Sequence, residues 1–166
     1  MSRYKKFWLN LAQLYSLSEK IPRIYCKDKP LAVDIERMVE VQYELKIDVI
    51  PLNPASNILG VPNLSGRKIF IDPSIVDLDD NELRYRFTLG EEVAQILLHK
   101  DVFASTKTPE EYIHRYLALP EEDFNVFELN AKCLSGMILL PEKSFVQQLV
   151  KHRDYRLKSL GSSGNE

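Results

Sequence analysis

The chain has 166 residues, is 45% hydrophobic and 28% charged, and carries a formal net charge of −2 with a pI near 6.0. That is the composition of one globular domain with a substantial core, and it excludes bulk attraction to nucleic acid or to an anionic membrane. Cys26 and Cys133 lie far apart and outside any CxxC spacing, which excludes a disulfide framework and a thiolate zinc site. No leader pattern and no apolar run of about 18 residues is seen, so the cytoplasm is the expected location.

In chain order, residues 1–28 are expected to form a helical arm. Arg3, Lys5 and Lys6 surround Phe7, Trp8, Leu9 and Leu11, and the sets Phe7, Leu11, Leu14 and Trp8, Leu11, Tyr15 both have helical spacing. Such an arm either docks on the rest of the chain or offers Phe7 and Trp8 as anchors to a partner. A domain is expected over 29–155. Pro30 opens its first helix, which reaches about Leu45 with Ile35, Met38, Val39 and Tyr43 at helical spacing. Alternation predicts strands over 47–51, 58–61 and 67–71, the third entered through a Ser65-Gly66 turn and stopped by Asp72-Pro73. Asp79, Asp80 or Asn81 is then available to cap the next helix.

That helix contains the most informative stretch, RFTLGEEVAQILLH, from Arg86 to His99. At about 100° per residue, Thr88, Glu91, Glu92, Gln95 and His99 share an arc of roughly 100°, while Phe87, Leu89, Val93, Ile96, Leu97 and Leu98 take the rest. A surface helix has a wider polar face. The pattern predicts a mostly enclosed helix whose polar stripe looks through an opening or lines a pocket. Downstream, Thr108-Pro109-Glu110-Glu111 starts a helix reaching Leu117, and Pro120 ends it. A helix follows from Glu122 or Phe124 to Ser135 or Gly136, and a last one from Pro141 to about His152. Residues 156–166 end in a Gly/Ser-rich run and are expected to form a disordered tail. The order of elements predicts an α+β fold, mostly helical, with a small sheet of about three strands.

The stretch 86–99 resembles the active-site helix of the ImmA/IrrE metallopeptidases, whose motif runs Arg-Phe-Thr-Leu-Ala-His-Glu-x-x-His, then an apolar pair and a further His. Arg86, Phe87, Thr88, Leu89, Leu97, Leu98 and His99 match, but Glu91-Glu92-Val93-Ala94-Gln95 stands where the family has His-Glu-x-x-His. A second block, 128–141, is similar to the family's Glu-x-x-Ala-Asn-x-Phe-Ala-x-x-Leu-Leu-Met-Pro. Glu128, Ala131 and Pro141 match at the same spacing, Lys132 replaces the Asn and Leu134 the Phe. The resemblance covers roughly 33–145 and implies a zincin-like metallopeptidase fold. It puts Glu92 at the general-base position and Glu91, Gln95 and Glu128 at the three metal-ligand positions.

In a zincin helix two imidazoles at i and i+4 hold the metal, and a glutamate takes a proton from the metal-bound water, whose pKa falls toward about 7. Here a carboxylate and an amide replace both imidazoles, and an amide is a poor zinc ligand. Three readings follow. Glu91, Gln95 and Glu128 hold a harder cation such as Mg²⁺, Mn²⁺ or Ca²⁺. Alternatively no metal binds and Lys132, four residues after Glu128, neutralises the carboxylates with help from Arg84 or Arg86. Or His99 supplies a nitrogen ligand. Beside these stands a plain solvated helix face with an ordinary Glu128–Lys132 pair.

The second is the reading adopted: a catalytically degenerate homologue, without cofactor, acting as a protein-binding regulatory module. By the resemblance its partner is a protein or peptide, such as the DNA-binding repressor of a phage, mobile element or stress response. Direct contact with nucleic acid or membrane is not expected. The alternative is an active peptidase using a non-zinc divalent cation with Glu92 as base. No Ser or Cys nucleophile motif stands out, nothing selects among Tyr85, Tyr112 and Tyr116, and His114 and His152 read as surface residues.

Overall fold

In the computed structural model the residues described are 4–27, 32–52, 57–63, 65–76 and 78–161. Three short strands, β1 Lys46–Val49, β2 Gly60–Asn63 and β3 Lys68–Ile71, form one mixed sheet. Its order is β1-β3-β2, with β3 parallel to β1 and antiparallel to β2, pairing Ile47 with Ile69 and Val61 with Phe70. Because successive side chains alternate, Ile69 and Ile71 enter one hydrophobic core and Phe70 packs against another. The second strand starts at Gly60, later than the apolar run suggested. The left-handed residue of the turn into β3 is Arg67, φ 52°, while Gly66 gives its N–H to Asn63 Oδ1 at 2.8 Å.

The helices are α1 Leu11–Ser18, α2 Ile35–Arg37, α3 Leu78–Phe103, α4 Pro109–Leu117, α5 Glu121–Leu139 and α6 Glu142–Gly161. The molecule is α+β and mostly helical, as expected. Phe7 is not in the first helix: it closes a 3₁₀ turn, Lys5–Phe7, and α1 starts only after Asn10, whose side chain forms a capping box with Gln13. The helix expected from Pro30 begins at Ile35, because Asp34 caps it and Val33 is still bridged to Tyr25; Pro30 itself lies outside the described residues. After Arg37 it widens into a π turn, Met38–Gln42, and Glu44, φ 52°, ends it. Asp79, Asp80 and Asn81 lie inside the first turn of α3 instead of before it. Thr108 caps α4 through the Glu111 N–H at 3.2 Å, as its spacing indicated. The expected tail is helical as far as Gly161, since Arg156, Leu157, Lys158 and Leu160 are helix-compatible residues. Residues 162–166 lie outside the described residues.

One core gathers Val33, Ile35, Met38 and Val39, Ile69 and Ile71 of β3, and Leu89, Val93, Ala131, Leu134 and Ile138 of α3 and α5. The other gathers Val61, Val102, Phe103, Tyr112, Tyr116 and Phe127. The arm docks on α5: Trp8 Nε1 donates to Asp123 Oδ1 at 3.0 Å, and Tyr4 and Phe7 set their edges against Phe127 with centroids 6.0 and 6.2 Å away. The Asn130 amide, turned to satisfy both groups, donates to the Leu9 carbonyl and accepts from the Leu9 N–H, each at 3.1 Å. Among the described residues no helix is long and apolar enough to cross a membrane.

Candidate functional site

α3 runs along the seam between the two cores. Tyr85, Leu89, Val93 and Ala94 enter the first, Val102 and Phe103 the second. Between them Thr88, Glu91, Glu92 and Gln95 face a cavity of about 170 Å³, closed by Ile58, Leu59 and Gly60 at β2, Tyr112 and Tyr116 of α4, and Glu128, Ala131 and Lys132 of α5. Four of the five residues of the polar stripe read from the sequence, Thr88, Glu91, Glu92 and Gln95, therefore form a wall of a pocket.

Gly60 makes the wall possible. A Cβ there would lie 2.7 Å from Glu92 Oε1 and 2.8 Å from Thr88 Cγ2, closer than carbon packs against either. Its φ is not positive, so close approach and not backbone conformation requires glycine. Gly60→Ala is expected to push β2 off α3 and destabilise by about 1–3 kcal/mol, measured by urea denaturation.

Behind the wall runs a chain of hydrogen bonds with one consistent direction. His99 Nδ1–H donates to Gln95 Oε1 at 2.6 Å, Gln95 Nε2 donates to the Tyr116 hydroxyl at 3.0 Å, and Tyr116 O–H donates to Glu128 Oε1. Lys132 Nζ pairs with Glu128 Oε2 at 2.5 Å. The amide orientation fixes the His99 tautomer: an acceptor oxygen faces Nδ1, so Nδ1 carries the proton. His99 is fully buried and stacks on Phe127, centroids 3.9 Å apart at 5°, and burial lowers its pKa to about 3. It stays neutral.

The carboxyls are less well served. Glu92 is 7% exposed, and burial, then Glu91 and Glu128, push its pKa well up. Burial and then Glu128 raise Glu91 to about 7, opposed by Lys132. Neither has a hydrogen bond or ion pair to another described residue. Tyr112 is 3% exposed, its hydroxyl has no partner, and burial, then Glu92 and Glu128, raise its pKa. Tyr116 is raised too, by burial and then Glu128. Lys132 is raised by its bond to Glu128.

The fold thus brings Glu91, Glu92, Gln95, Glu128 and Lys132 to one cavity. His99 is not on its wall; it sits one turn further along α3, behind Gln95, and cannot serve there as a nitrogen ligand. Arg86 gives no help to the carboxylates, because it donates to the Val33 carbonyl at 2.6 Å, and Arg84 is exposed. Phe87, expected on the enclosed side, is exposed and opens with Leu83 on a separate apolar groove. His114 and His152 are exposed. The sequence offered Tyr112 and Tyr116 together with Tyr85 and did not choose among them; the signal that selects the first two is their i,i+4 spacing in a well-capped helix.

Two of the residues the sequence put forward as metal ligands, Gln95 and Glu128, are taken up by other partners. Both Gln95 amide atoms and both Glu128 oxygens are engaged, and the Lys132 ammonium stands beside Glu128. Among the described residues no group of three His, Cys, Asp or Glu side chains is placed to hold a metal ion. Compared with family profiles, curated proteins and solved structures, the chain matches none.

Proposed function

We propose that this chain is a catalytically inactive, zincin-like relative of the ImmA/IrrE metallopeptidases that works by binding a polypeptide. One observation carries the reading: the carboxylate at the third ligand position is held by Lys132 and Tyr116 of the chain itself. Lys132 supplies the positive charge that a metal would bring, and Tyr116 joins Glu128 to Gln95, so two former ligand positions are tied to each other. Lys132 is exposed and Glu128 half-buried, so the pair itself adds little stability, and the ordering comes from the buried Gln95–Tyr116 part of the network. With no metal to lower the pKa of a water, Glu92 has no nucleophile to activate. What remains is a shaped cavity on a rigid frame, suited to recognition.

By the resemblance, the partner is a regulatory protein such as a transcriptional repressor. The test is to capture the partner from the host and incubate it with purified protein in chelator and in Zn²⁺, Mn²⁺, Mg²⁺ or Ca²⁺. A partner held equally in every condition and recovered at full length is the expected result. Shortening that depends on one cation and stops in chelator would establish instead a peptidase with Glu92 as general base.

A further inference from the structure

We propose that α6 pairs antiparallel with α6 of a second copy of this chain, giving a two-fold dimer through Phe145, Val146, Leu149 and Val150. The proposal is independent of what occupies the cavity.

Beyond Ser144, which is buried, every residue of α6 as far as Arg156 is exposed. A surface helix ordinarily turns an apolar stripe inward; this one leaves its stripe open. Phe145, Val146, Leu149 and Val150 are 51, 48, 55 and 42% exposed. At about 100° per residue they share an arc of roughly 140°, as the i,i+4 pairs Phe145–Leu149 and Val146–Val150 side by side. Single exposed apolar residues are ordinary, but a contiguous row of four is a contact surface. Leu11 and Tyr15 of α1, also exposed, adjoin it, because the Tyr15 hydroxyl donates to Glu142 Oε2 at 2.5 Å. These six half-open side chains supply most of the roughly 600 Å² that a small specific interface takes from each partner.

The order of charge along the same arc selects a second copy as the occupant. Glu142 stands three residues before the apolar row and Arg153 three residues after it, and both fall within the arc. An identical helix turned end for end, about an axis between Gln147 and Gln148, sets Phe145 opposite Val150, Val146 opposite Leu149, and Glu142 opposite Arg153. Every contact then occurs twice, as an isologous interface requires. A parallel pair would instead set Glu142 on Glu142 and Arg153 on Arg153. The antiparallel arrangement also lays the positive end of each helix dipole beside the negative end of the other. Both charges are free to re-pair: Arg153 meets only its neighbour Asp154 among the ion pairs of the described residues, at 2.9 Å, an exposed pair worth little. Glu142 accepts from Tyr15 through one oxygen.

The experiment is sedimentation equilibrium of the full chain from about 1 μM to about 1 mM. A reversible monomer–dimer equilibrium is expected. Leu149→Glu should raise its Kd about tenfold or more, since the change is met twice in the dimer. The side chain is open in the monomer, so the melting curve of dilute protein should stay as in wild type; Val146→Glu replaces this variant if it fails to fold. Glu142→Arg and Arg153→Glu should each weaken the dimer about fivefold, and the double variant, which restores opposite charges across the axis, should recover most of the loss. A monomer throughout the range would overturn the proposal, and capture of a different protein by that monomer would assign the face to it. A dimer of unchanged Kd in Leu149→Glu would place the interface elsewhere. A double variant as weak as the singles would overturn the antiparallel register.

Discussion

Glu92→Gln is expected to make the protein more stable above neutral pH, by an amount that grows with pH. Glu92 is buried, unpaired and close to two other carboxyls, so its folded-state pKa lies well above that of the unfolded chain. Above the unfolded value of about 4.3 the unfolded state sheds this proton while the folded state keeps it, and stability falls as pH rises. Glu91 acts in the same sense up to about pH 7. His99 acts in the opposite sense: with a folded-state pKa of about 3, it adds stability as pH rises through the ordinary histidine range. The raw stability profile mixes the three. The difference between Glu92→Gln and wild type cancels the His99 contribution, which is present in both, and reports Glu92 together with its coupling to Glu91. Each pH unit between the unfolded and folded pKa values costs about 1.4 kcal/mol, so at pH 8 the gain should exceed about 1 kcal/mol. Urea denaturation from pH 5 to pH 8 measures it. A variant less stable than wild type at pH 8 would mean that Glu92 has a partner.

Phe127→Ala is expected to cost about 3–5 kcal/mol, the largest loss of any single substitution considered. Phe127 is fully buried, carries the stacked His99 ring on one face, and receives the edges of Tyr4 and Phe7. It lies one residue before Glu128, so it joins the docked arm to the hydrogen-bonded network. Truncation leaves a cavity and removes the surface on which His99 rests. The expected readout is a lower urea midpoint together with faster exchange of the Leu9 and His99 amides. An unchanged midpoint would remove Phe127 from the core.

Much of this was legible in the sequence, for local reasons. Thr108 and Pro109 set the start of α4, and the three strands followed from alternation and turn residues. Glu91, Glu92 and Gln95 sit within one helical turn of each other, and Glu128 and Lys132 are one turn apart, so their shared faces followed from helix periodicity. His99 was misplaced because a helical wheel keeps angle and discards depth. Eight residues past Glu91 it lies roughly 12 Å along the axis, beyond the end of the cavity. Phe87 was misplaced because nothing in its own helix says that the groove beside it stays open. Gly60, Tyr112 and Tyr116 act through packing of β2 and α4 on α3, contacts distant in sequence. The late start of α2 depended on the Tyr25–Val33 bridge, which competes with the helix for the same backbone.

The proposal that Lys132 and Tyr116 stand in for a metal is most directly tested by elemental analysis of untagged protein purified without chelator, followed by melting in Zn²⁺, Mn²⁺, Mg²⁺ and Ca²⁺. No stoichiometric metal and an unchanged Tm with all four are predicted, where a cation at 100 times its Kd would stabilise by about 2.7 kcal/mol. One metal per chain, lost in Glu128→Ala, would contradict the account.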